Sequence, residues 1–122
     1  MNPYQVTSVL AREKELLEQV VNLAECQIEL LESGRAEDLE ILLSLRERPM
    51  SELAVIEETV EAEVFQIQND PTVPTETLNE LQSLNLAILS LADRIVQLDE
   101  KAEYLAEEYE HCVSPENQHR IW

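Results

Sequence analysis

Apolar residues between positions 81 and 112 recur with a period of seven. Leu81, Ile88, Ile95, Ala102 and Tyr109 make one column, and Leu84, Leu91, Leu98, Leu105 and Cys112 make a second, three residues further on. Two such columns place a continuous apolar seam along a single long helix. Begun near Thr75, that helix would be roughly 55 Å long. Its seam must be covered by the remaining chain or by another chain, so the rest of the sequence is expected to be organised around it.

A first helix is predicted over about residues 3–33. Pro3 suits a first helical turn and Asn2 its cap. Val6, Val9, Leu10, Leu16, Leu17, Val20, Val21, Leu23, Ala24, Ile28, Leu30 and Leu31 fill an arc of roughly 160°, wide enough to touch two neighbours at once. Glu13 and Gln27 interrupt the column of Val6 and Val20. They are expected at its edge, and if buried they would fix register. Gly34 then reads as a left-handed residue closing the helix.

Periodicity resumes with Glu37, Asp38 and Leu39, acids where a first turn favours them. The second helix, about 36–68, carries Leu39, Leu42, Leu43, Met50, Leu53, Ile56, Val60, Val64 and Ile67 along one face. Pro49 lies inside it and predicts either a kink or two helical segments, the second starting at Pro49; a kink is the commoner outcome where apolar phase is kept across the proline. Asn69, Asp70, Pro71, Thr72, Val73 and Pro74 form the one substantial loop. Thr77 and Glu80 match a capping box, so the third helix is placed at about 76–112, starting near Thr77 or one turn earlier. Val113, Ser114 and Pro115 end the pattern and leave a short tail, 114–122. Short connections make neighbours antiparallel. The predicted fold is all-α: an up-down-up three-helix bundle over 1–113, its third helix overhanging the others by one to two turns.

Composition narrows the function. With one glycine, five prolines and 4% aromatic residues the chain suits neither an all-β nor an α/β domain, and 44% apolar content argues against disorder. The net charge is −18, spread as −4 over residues 1–33, −7 over 34–70 and −7 over 71–122. Nine acids and no Lys or Arg lie between Arg48 and Arg94. Such a surface repels phosphate backbones and anionic lipid, and no partner of either kind is expected. It serves solubility or steers a basic partner. No signal peptide or membrane-spanning run is apparent, and two cysteines make no disulfide framework; a cytoplasmic location is expected. Cys26 is placed near the core edge and Cys112 on the overhang, too far apart along the axis to bridge.

No enzymatic site can be assembled. Both histidines, His111 and His119, fall near the end, no Glu-x-x-His pair occurs, and a single glycine rules out a phosphate loop. The spacing of His111, Cys112 and His119 fits no standard zinc site. No cofactor and no metal are expected. What remains is apolar surface to spare. Leu86, Leu89 and Val96 lie off the seam at f and b positions, flanked by Ala87 and Ala92, and Ile41, Val55 and Phe65 lie off the main arc of the second helix. Either the tail with Ile121 and Trp122, or a wide core, covers these residues, or a partner helix or second copy does. Leu86, Leu89, Val96, Tyr104 and Trp122 are the candidate partner-binding residues.

One stretch carries a family likeness. Leu16-Leu17-Glu18-Gln19-Val20-Val21, then Leu30-Leu31-Glu32-Ser33-Gly34 and the restart Glu37-Asp38-Leu39 leading to Leu45-Arg46-Glu47-Arg48, resembles bacterial flagellar export chaperones of the FlgN/FliT type. Pro49 and the short tail depart from the family pattern. The resemblance implies a cytoplasmic chaperone that binds an amphipathic terminal segment of hook-associated or filament-cap proteins, keeps them monomeric and delivers them to the export apparatus. The alternative is a homodimeric helical scaffold whose third helix pairs with its twin.

Overall fold

The computed structural model describes the secondary structure of residues 1–121 and the side chains of residues 1–108. Three helices and a 3-10 turn follow in order: α1 (Pro3–Glu32), the turn (Ala36–Asp38), α2 (Leu39–Gln68) and α3 (Thr75–Ile121). No strand occurs among the described residues. This is an all-α three-helix bundle.

Local chemistry sets the boundaries of α1. The Asn2 side chain accepts from the Gln5 amide at 2.8 Å, and the Gln5 side chain accepts from the Asn2 amide at 2.9 Å, a reciprocal capping box with Pro3 in the first turn. At the other end Gly34 takes φ 73°, the Arg35 amide donates to the Leu30 carbonyl at 2.8 Å, and the Gly34 amide donates to the Leu31 carbonyl at 3.3 Å. These two bonds are a Schellman closure, which needs the left-handed residue. Open space surrounds the Gly34 α-carbon. Gly34→Ala is therefore expected to lose about 1 kcal/mol from backbone strain alone, with Gly34→Asn losing less, by urea denaturation.

The wide apolar arc of α1 makes it the hub. Val6, Leu10, Leu16, Leu17, Val20, Val21, Ala24, Ile28 and Leu31 are all buried, and α1 packs along both α2 and α3. The seam of α3 lies against it: Leu81, Ile95, Leu98 and Ala102 are buried, and Leu84, Ile88, Leu91 and Leu105 are partly buried on the same core. The organising element is thus α1, not the third helix from which the heptad reading began. A two-column seam is narrow enough for one neighbour, whereas a 160° arc serves two.

α2 runs as one helix through the buried Pro49, and Leu53, Ile56, Val60 and Ile67 face the core. The loop over 69–74 is pinned by Asp70, which accepts from both the amide and the hydroxyl of Thr72. Those bonds hold its carboxyl below the ordinary value.

α3 starts within its expected bounds but ends well beyond them. Its first turn begins at Thr75, with the Leu78 amide donating to the Pro74 carbonyl at 3.1 Å, so the Thr77–Glu80 box does not start it. It continues to Ile121, past the expected stop at 113–115 and through most of the predicted tail. A proline removes one helical hydrogen bond and strains the turn before it, but neither effect obliges a helix to end. At 47 residues against 30 each for α1 and α2, α3 is about 70 Å long against about 45 Å, a longer overhang than predicted.

Candidate functional site

Both outer helices pack on α1, yet the backbones of α2 and α3 approach each other closely at hardly any point. A cleft is left between them, with α1 as its floor. One polar bridge crosses it: Arg46 of α2 donates to both carboxylate oxygens of Asp99 of α3, at 2.8 and 3.1 Å, and to Gln27 of α1 at 3.3 Å. Arg46 is largely covered and Asp99 is half open to solvent, so the bridge fixes spacing more than it adds stability.

Further along the bundle from that bridge, the three helices line a cavity of about 340 Å³. Leu10 and Glu13 of α1, Glu57, Val60, Glu61 and Val64 of α2, and Asn85 of α3 line it. Arg46 and Glu61 are fifteen residues apart, so the stretch spans roughly 22 Å, about four helical turns.

The rim of the cleft is apolar. On α2, Leu43, Met50, Glu57 and Val64 fall in one heptad column, and the last two line the cavity. Leu43 and Met50, placed on the core face by sequence, are instead 46% and 45% exposed. The correction has a simple cause: the apolar face of α2 is wider than its contact with α1, and without close packing on α3 its far edge stays uncovered. On α3, successive residues turn by about 100°, so Leu89 and Val96 lie within about 40° of Asn85 around the helix. They are 66% and 54% exposed.

The candidate residues therefore divide. Leu89 and Val96 share the cleft-side face of α3. Leu86 and Tyr104, also exposed, lie about 100° round from Asn85 and point further outward. Tyr104 hydrogen-bonds Glu108 one turn on, and that bond and the negative charge lift its phenol above the ordinary value. Trp122 lies outside the described residues. Leu43 and Met50 are the rim residues that sequence reasoning missed; their apolar phase matched the core, and only the separation of α2 from α3 distinguishes them.

Beyond the Arg46–Asp99 bridge, the charged residues lining the cavity are all acids. Glu57 and Glu61 line it, while Arg48 and Arg94 fall about 180° around their helices from Glu57 and Asn85. Glu13, expected at the edge of its helix, is only 7% exposed. Burial, and then the neighbouring charge of Glu57, raise its carboxyl above the ordinary 4.5. Arg12, the chain neighbour of Glu13, is committed to Glu52, which it clamps at 2.7 and 3.2 Å, lowering that carboxyl.

Among the described residues no cluster of three metal-ligating side chains occurs, and no helix is long and apolar enough to cross a membrane. Cys26, placed near the core edge by sequence, is exposed and free. It sits beside a shallow hollow at the top of α1 with Glu29, Ser33, Arg35 and Asp38. His111, Cys112 and His119 fall beyond the described side chains. Compared with protein-family models, curated proteins and solved structures, the chain gives no match.

Proposed function

We propose that this chain is a helix-binding protein, and that it acts as a cytoplasmic export chaperone of the FlgN/FliT kind. It holds an amphipathic terminal segment of a hook-associated or filament-cap protein in the α2–α3 cleft and so keeps that client monomeric for delivery to the export apparatus. The observation that carries this reading is the uncovered apolar rim, Leu43 and Met50 across from Leu89 and Val96, over a cleft about four turns long. A fourth amphipathic helix laid there would complete a four-helix bundle and bury the edges that α2 and α3 leave open. The acids around the cleft orient a basic segment and repel a second copy of a −18 chain.

The test is calorimetric titration, at two temperatures, with C-terminal segments of hook-associated proteins from the same organism. Saturable binding with a negative heat-capacity change is expected, as apolar surface is buried on coupled folding. Met50→Glu and Val96→Glu should each weaken binding at least tenfold, because a carboxylate would enter the apolar seat. Unchanged binding in both would remove the cleft from the proposal. No binding, together with a thermal midpoint that depends on protein concentration, would favour the homodimeric scaffold.

A further inference from the structure

The cavity at the deep end of the cleft contains an unmatched buried group. Glu13 is 93% covered yet makes no hydrogen bond and no ion pair among the described residues. No side-chain oxygen or nitrogen that is wholly sealed from solvent lacks a partner, so its carboxylate opens into the cavity. Glu57 and Glu61 face it from α2, and the neutral Asn85 faces it from α3. No cationic side chain lines the space.

Three carboxylates on apolar walls define what the space accepts. Leu10, Val60 and Val64 offer surface to a hydrocarbon stem, and Glu13, Glu57 and Glu61 offer acceptors at its end. A primary ammonium carries three donors on a compact, rotatable head that carboxylates from two helices can share, whereas a guanidinium presents a flat fork suited to a single carboxylate. We propose that this cavity is the anchor subsite for a lysine side chain of the helix docked in the cleft. The inference rests on the helix-binding reading and adds to it the chemistry that sets register. Apolar rim contacts alone permit sliding by a turn, and a single charged socket at one end does not.

The socket can be tested without any client. The probe is n-butylammonium chloride, added to the full chain carrying ¹³C-labelled glutamate, with the carboxyl resonances of Glu13 and Glu57 followed by NMR. Saturable shifts at both are expected, with half-saturation on the order of 1–10 mM for so small a ligand. Glu13→Gln and, separately, the exposed-site variant Glu57→Gln should each weaken binding at least tenfold; the second keeps the test valid if the first perturbs folding. Equal concentrations of sodium chloride must not reproduce the shifts, and n-butanol must bind at least tenfold more weakly. If sodium chloride reproduces them, or butanol binds equally, the socket is overturned, since the effect is then screening or plain apolar burial. Butylammonium binding with no segment bound in the calorimetric titration would retain the socket and remove the helix-binding function. Segment binding that is indifferent to lysine-to-norleucine replacement, with butylammonium silent, would do the reverse.

Discussion

Leu16→Ala is expected to cost about 2–5 kcal/mol, a large share of what holds a chain of this size together. Leu16 is essentially inaccessible at 1% exposure, on the helix that both neighbours pack against. Removing three carbons there loses transfer free energy and leaves a hole that two flanking helices cannot both collapse into. The thermal midpoint should fall by roughly 10–20 °C. Leu86→Ala is the matched control: the same atoms are removed from an exposed position on α3, and stability should move by no more than about 0.5 kcal/mol. Urea denaturation of the two variants side by side is the measurement. Equal losses would mean that α3, not α1, is the hub.

The second large effect concerns Glu13 and has a definite sign in pH. Its carboxyl titrates above 4.5 in the native chain, so the native state holds the proton more tightly than the unfolded chain does. Stability therefore falls as pH rises from 4.5 through the raised native value, and it stays lower above that value. Below 4.5 both states are protonated and the cost disappears. Glu13→Gln removes the titration and lets an amide N–H donate toward Glu57, the residue whose charge opposes its own. The variant should gain about 1–2 kcal/mol on the parent at pH 7 and little at pH 4. Denaturation of both proteins across that range checks this, because the remaining acids act alike on each and cancel in the difference. A flat difference would show that Glu13 titrates normally.

A mutation that stabilises the free chain while abolishing its cation socket is the pattern expected of a functional site. In the first two helices and the loop that follows, local signals are obeyed: the Asn2–Gln5 box, the Gly34 closure and the Asp70–Thr72 turn all lie where the residues call for them. Glu13 breaks that consistency. It is an acid in an apolar column, buried without a partner, and such exceptions concentrate where binding is done.

Much of the fold was legible because helices are local objects. Period and caps identify the helical segments, and the width of an apolar arc states how many neighbours a helix needs. α1 was readable as the two-sided helix for that reason. The site was only half legible. Leu89 and Val96 stood out because they break the period of their own helix. Leu43 and Met50 keep theirs, so nothing in their spacing separates them from Leu53 or Ile56. Glu13 was visible as an interruption, yet its depth depends on how closely Glu57, Val60 and Val64 lie over it.

By itself, then, the sequence determined three helices, their antiparallel order, the breaks at Gly34 and at 69–74, and a net charge of −18. Each follows from dihedral preference, period or net charge, which are properties of neighbours along the chain. The tertiary structure alone decided that α2 and α3 stand apart over α1, that the rim of the resulting cleft is apolar, and that Glu13 lies at its floor. Those depend on the distance between two helices that share no local signal, set by how side chains on a third helix fill the space between them.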